Sequence, residues 1–127
     1  MTIHDQLRDL LAKHTGEVPP SLDHPENPEH GDYASPVAMA LAKKQKRSPM
    51  IVAEELKKEI ENNLQSKELI ARIEIAPPGY LNFFLSREAF AKLIASLLEN
   101  PDEWGSNKTL AGKKIMVEYT DPNPFKE

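Results

Sequence analysis

The chain has 127 residues, 39% of them hydrophobic, which allows one modest core and one domain with at most a short piece of a second. Its net charge of -4 disfavours a strongly basic nucleic-acid binder on bulk charge, although the placement of cations decides more than their sum. The absence of cysteine excludes a disulfide frame and a thiolate zinc site. No apolar run approaches the roughly 20 residues that span a bilayer, and no basic segment followed by an apolar stretch marks a signal peptide. A cytoplasmic protein is the default expectation.

Thr2 to His14 reads as an amphipathic helix, with Ile3, Leu7, Leu10 and Leu11 on one stripe and Gly16 as its stop. His4 and His14 fall outside that stripe and are expected in solvent. Val18 to Tyr33 is polar and rich in proline, which predicts loop and extended chain, with Val18 and Leu22 as a short edge strand. His24 and His30 lie there among Asp23, Glu26, Glu29 and Asp32. Their spacing matches no defined ligand pattern, so a hydrated loop is expected rather than a metal site.

Ser35-Pro36 signals a helix start: the hydroxyl accepts from an orphan N–H, and proline at the first position has no N–H to satisfy. An Ala-rich helix from Val37 to Lys44 follows, closed by Lys43-Lys44-Gln45-Lys46-Arg47. Those cations suit the negative end of the helix dipole, and they equally suit a phosphate backbone. Ser48-Pro49 repeats the start signal, and Val52, Leu56, Ile60 and Leu64 predict a helix running to about Leu64.

Two strand-like runs come next. Ile73 and Ile75 alternate with Arg72 and Glu74, as in a half-exposed strand. Pro77-Pro78-Gly79 then makes a tight connection. In Tyr80 to Leu85, alternation puts Leu81, Phe83 and Leu85 on the core face and Tyr80, Asn82 and Phe84 on the other. Two rings flanking an amide suit unpaired nucleobases; the competing expectation is that another helix or domain covers them. Ser86 caps a helix to about Glu99 that buries Phe90, Leu93, Ile94, Leu97 and Leu98, and Asn100-Pro101 ends it. Asp102 to Lys113 is a polar connection in which Trp104 is expected to pack on the preceding helix. Lys114 to Tyr119 reads as a strand buried on both faces of a parallel sheet, followed by the loop Thr120 to Glu127. A buried parallel strand needs neighbours, so the chain is expected to be a fragment cut just inside a second α/β domain. A C-terminal edge strand with a frayed tail is the alternative.

Three segments together carry a likeness: His30-Gly31-Asp32-Tyr33-Ala34, then Ala76-Pro77-Pro78-Gly79-Tyr80-Leu81-Asn82-Phe83-Phe84-Leu85, then Val117-Glu118-Tyr119-Thr120-Asp121-Pro122-Asn123-Pro124. In this order and spacing they resemble the N-terminal end of an arginyl-tRNA synthetase, from about Gly31 to the last residue. The resemblance implies an α+β fold: a small antiparallel sheet with helices on one face, followed by the first strand of a truncated class I, Rossmann-like domain. It implies a tRNA-binding domain over 1–108 that touches the D-loop, and the start of the catalytic domain over 109–127. Carried over by position, Tyr80, Asn82 and Phe84 meet the tRNA, while Glu118 and Asn123 hold the substrate arginine. Thr120 and Asp121 sit where the family often has small residues, a departure within that loop. The full-length enzyme would use ATP with magnesium, arginine and the tRNA for arginine. This chain stops before the His-Ile-Gly-His-type ATP signature, so the fragment alone is expected to be inactive, without cofactor, metal or catalytic residue. The alternative function is a non-enzymatic protein-interaction module whose sheet face binds a protein.

Overall fold

The computed structural model describes residues 2–119. Helix α1 spans Ile3–Thr15. Thr2 starts it through a reciprocal cap: its hydroxyl accepts from the Asp5 N–H at 3.1 Å, and the Asp5 carboxylate accepts from the Thr2 N–H at 3.2 Å. Gly16 stops it in the left-handed conformation at φ 72°, donating its N–H to Ala12. Ile3, Leu7, Leu10 and Leu11 are buried, as their spacing predicts. His4 and His14 do not stand free in solvent. His4 leans on Tyr33 at 5.6 Å between ring centroids, and His14 approaches Glu59 at 3.6 Å.

The proline-rich segment holds a short 3-10 turn, Pro28–His30. The expected edge strand shrinks to one bridge, in which Asp23 and Ala34 exchange backbone hydrogen bonds of 2.9 and 2.8 Å. Leu22 beside it is buried, whereas Val18 is 84% exposed. The prolines leave too few donors for a longer ladder.

Strand β1, Tyr33–Ser35, leads into α2, Val37–Gln45. Ser35 closes the strand and opens the helix: its hydroxyl accepts from the Val37 N–H at 3.2 Å and donates to the Ser21 carbonyl. Helix α3 covers Pro49–Glu61 and buries Val52, Ala53, Leu56 and Ile60. It ends before Leu64, because Asn63 caps a separate helix α4, Leu64–Leu69, by accepting from the Gln65 N–H at 2.9 Å. Leu64 is accordingly 79% exposed.

Strands β2, Ile70–Ala76, and β3, Tyr80–Leu85, form a hairpin, and β1 adds to the far side of β3. All pairing in this three-stranded sheet is antiparallel, in the order β1-β3-β2. Tyr33, Ser35, Ile73, Ile75, Leu81 and Phe83 face one way, since residues paired across an antiparallel ladder share a face. Helices α1, α2 and α3 bring their buried side chains to that face, around Leu81 and Phe83, both fully buried.

Helix α5, Arg87–Glu99, is capped by Ser86, which accepts from the Ala89 N–H at 3.0 Å. A second 3-10 turn, Pro101–Glu103, follows. The apolar face expected to be buried on α5 is largely open. Ala89 is buried and Leu93 and Leu97 are half-buried, but Phe90, Ile94 and Leu98 are 40%, 56% and 75% exposed. Trp104 is also exposed rather than packed. The helix sits against α4 at one margin of the core, with no second layer over its outer side among the described residues. Residues 114–119 form no strand, contrary to expectation, and Ile115, Met116 and Val117 are exposed. The segment finds no neighbouring strand among the described residues to take its backbone hydrogen bonds, and a β-type sequence alone does not make a strand.

Candidate RNA-facing surface

The sheet face turned away from the helices is built by all three strands. The register aligns Ala34, Asn82 and Glu74 across it, pairs Ala76 with Tyr80, and pairs Arg72 with Phe84. None of these residues belongs to the hydrophobic core cluster.

Two glycines hold this face in place. Gly31 has φ 88°, and a Cβ there would lie 2.7 Å from the Phe83 carbonyl oxygen. Only glycine lets this backbone lie against β3. The next residue then fastens the edge: Asp32 donates its N–H to the Phe83 carbonyl at 2.9 Å, and its carboxylate accepts from the Leu85 N–H at 2.8 Å. The Gly31-Asp32-Tyr33 motif is thus a clasp that docks β1 onto β3. At the other end, Gly79 closes the β2–β3 turn with a 2.9 Å bond to the Ala76 carbonyl. A Cβ there would lie 2.9 Å from the Pro49 side chain and 3.1 Å from that of Met39. This contact seats the turn on the start of α3.

The three sheet residues named from sequence stand differently. Tyr80 is 40% exposed and presents its ring at the turn end. Asn82, in the middle of the central strand, is only 4% exposed. Alternation places it on the open face, but flanking strands on both sides and a ring before and after it wall it in. No buried side-chain polar atom among the described residues lacks a hydrogen-bond partner. Phe84 is half-buried, and the Arg72 guanidinium covers its ring with Cζ 3.7 Å from the centroid. Glu74 holds the same guanidinium at 3.0 Å from Nε.

Arg72 is the residue that sequence reasoning left out. Its guanidinium carbon lies over the Phe84 ring, with 60% of the Arg72 side chain exposed. It offers a flat cationic surface where the sequence suggests a bare ring. The alternation with Ile73 carried part of this signal, and the pairing with Phe84 continues the uninterrupted hairpin register that starts at Ala76 and Tyr80, so it shows only when the two runs are read as one ladder rather than each alone.

The remaining candidates lie apart. Glu118 is exposed on the segment without regular structure, and Asn123 lies outside the described residues. His24 packs on Tyr33 at 4.3 Å between centroids, with Nδ1 3.0 Å from the Asp32 carbonyl oxygen. The Tyr33 phenol is pushed above its ordinary pKa by burial. Among the described residues no three His, Asp or Glu side chains converge as metal ligands, and no helix is long and apolar enough to cross a membrane.

Comparison with known proteins gives consistent likenesses. The family described as Arginyl tRNA synthetase N terminal domain matches residues 1–85. The arginine–tRNA ligase of Thermococcus sibiricus is 43% identical over 106 residues, covering 83% of this chain and 16% of that protein. The ligase of Citrifermentans bemidjiense is 38% identical over 111 residues, covering 87% and 20%. Among solved structures, the arginyl-tRNA synthetase of Thermus thermophilus aligns with a TM-score of 0.55 at 27% identity, over 70% of this chain and 15% of that one. The chain therefore spans about a fifth of the length of the curated relatives it matches.

Proposed function

Because the chain belongs to the family of arginyl-tRNA synthetase N-terminal domains, we propose that it is the leading part of a cytoplasmic ligase that joins arginine to its tRNA at the expense of ATP, and that its open sheet face meets the tRNA at the D-loop. The observation that carries this reading is the face itself: a half-exposed Tyr80 ring, the Asn82 amide and the Arg72–Phe84 stack in one row, on the side no core residue shares. Aromatic rings and guanidinium planes are the surfaces on which splayed bases stack, and an amide carries both a donor and an acceptor for a base edge. Asn82 is recessed, so it reads an edge only after a base has seated against Tyr80.

In this reading, residues 109–127 begin the Rossmann-like catalytic domain, and 114–119 acquire strand partners from the rest of the polypeptide. Glu118 and Asn123 contribute to the arginine site, where a carboxylate suits a cationic substrate group. ATP and magnesium belong to that remainder.

The test is tRNA affinity in the full-length protein. Tyr80→Ala should weaken binding by about 1–3 kcal/mol, the worth of one stacked base, and a tRNA with an altered D-loop should lose affinity for the unsubstituted protein but little more for the variant. Additive losses would place Tyr80 away from the D-loop. Unchanged affinity in both cases would remove the open face from tRNA recognition.

A further inference from the structure

We infer that Lys43 and Lys46, at the α2–α3 junction, anchor the RNA phosphate backbone where it leaves the open sheet face beside Tyr80. This rests on the RNA-contact reading above and adds to it a second, electrostatic surface on a different part of the fold.

Charge placement is the first observation. The chain carries 16 Lys and Arg against 20 Asp and Glu, yet four of those cations fall within Lys43 to Arg47. Two of the four are engaged inside the molecule. Lys44 pairs with Glu17, and Arg47 makes a two-pronged pair with Glu55, with Nη1 to Oε2 at 2.8 Å. The Arg47 fork holds the Glu55 carboxyl below its usual range. It also ties the end of α2 to α3. Lys43 and Lys46 are exposed and have no acidic partner among the described residues. Two cations therefore hold the junction, and two face outward.

Position is the second. The Pro77-Pro78-Gly79 turn is pressed onto Pro49 and Met39, with no room for a side chain at Gly79. Tyr80 is the next residue, and only Arg47 and Ser48 separate Lys46 from Pro49. Three residues of chain reach about 10 Å at most. Lys46 thus stands at the same end of the molecule as the exposed Tyr80 ring, and Lys43 lies about one helical turn before it on α2, both within the span of a short run of nucleotides.

Backbone conformation is the third. Among the described residues Lys46 is the one non-glycine residue at positive φ, at φ 53° and ψ 46°, where it ends α2 by donating its N–H to Ala42. Glycine is the residue this position favours, since a Cβ is penalised in the left-handed region. A lysine there keeps a charge at the cost of conformational ease. A helix-dipole role alone would not need it, because Lys43 and Lys44 already occupy the last turn.

Counter-ion release supplies the readout. Each phosphate contact on single-stranded RNA contributes about 0.7 to the slope of log affinity against log salt. With an unmodified transcript of the tRNA for arginine and the full-length protein, Lys43→Gln/Lys46→Gln should flatten that slope by about 1.4. The affinity lost between 50 and 200 mM salt should then shrink roughly seven-fold. Lys46→Arg should keep the slope. Lys46→Gly should flatten it by about half as much while raising the urea midpoint, separating the charge from the backbone. If the double variant leaves the slope unchanged while Tyr80→Ala still weakens binding, the anchor is overturned and the sheet-face reading stands. If neither substitution affects binding, both are overturned. A lower urea midpoint for Lys43→Gln with an unaltered slope would reduce that lysine to a helix-end role and overturn its share of the proposal.

Discussion

Gly31 shows how one missing side chain sets the position of a whole strand. Its backbone lies so close to β3 that a Cβ would come within 2.7 Å of the Phe83 carbonyl oxygen and 3.1 Å of the carbonyl carbon. A backbone carbonyl in a sheet ladder cannot swing aside as a flexible side chain can. Gly31→Ala therefore combines two penalties. The backbone at φ 88° and ψ -176° lies in a region essentially reserved for glycine and costs about 1–3 kcal/mol for a residue with a Cβ, and the clash forces β1 outward. Outward movement also breaks the 2.8 Å bond from the Leu85 N–H to the Asp32 carboxylate. The expected outcome is a loss of at least about 2 kcal/mol in urea unfolding, with amide exchange at Leu85 accelerated more than at Ile60. A variant as stable as the parent would mean that the β1 edge is not fastened in this way. The sequence announces the motif but not this purpose, because a glycine before Asp-Tyr says nothing of which carbonyl it meets.

The first turn of α1 carries a titratable clasp, and its pH dependence has a definite sign. The Thr2 hydroxyl and backbone N–H hold the Asp5 carboxyl below its usual range. A carboxyl whose pKa is lower folded than unfolded stabilises the fold above the unfolded value, about 3.9 for Asp. That contribution fades as the pH falls through the folded value. Asp5 is largely exposed, so solvent screening limits it to a few tenths of a kcal/mol. Urea midpoints of the parent and Asp5→Asn should differ at pH 7 and converge as the pH falls below the unfolded value of about 3.9 and through the lowered folded one. A constant difference across that window would show that the clasp does not depend on charge. Helix α1 itself was legible in advance, because Ile3, Leu7, Leu10 and Leu11 repeat at helical spacing between a capping threonine and a stopping glycine. The β3 alternation was legible for the same reason, and Leu81 and Phe83 are fully buried. Helix α3 was read one turn too long, since Leu64 continues the spacing of Val52, Leu56 and Ile60 after Asn63 has already capped a new helix. The depth of Asn82 and the stacking of Arg72 were not legible. Both depend on which strands flank β3 and in what register, and no periodicity within one strand encodes its neighbours.

At the scale of the whole molecule, apolar residues divide into those the chain buries and those it leaves open. Around the sheet, Leu7, Leu11, Leu56, Ile60 and Phe83 are at most 3% exposed and form one continuous core. Along α5 and beyond, Ile94, Leu98, Trp104 and Met116 are 56%, 75%, 71% and 91% exposed. A hydrophobic pattern at helical spacing records which face a helix turns away from water, but it does not say whether the cover is present. The family match over residues 1–85 ends where this division begins. The two groups should respond in opposite ways to substitution in this 127-residue chain. Leu56→Ala removes a packed side chain and leaves a cavity, which costs about 2–5 kcal/mol. Ile94→Gln and Leu98→Gln remove little that is packed, and a glutamine suits an exposed helix site, so each should change stability by no more than about 0.5 kcal/mol. Urea unfolding followed by far-ultraviolet circular dichroism would measure all three. A loss of 2 kcal/mol or more for Leu98→Gln would mean that the stripe is covered in solution, by another part of this chain or by a second copy. Repeating the measurement over a hundred-fold range of protein concentration would separate those two, because only cover by a second copy makes the midpoint depend on concentration.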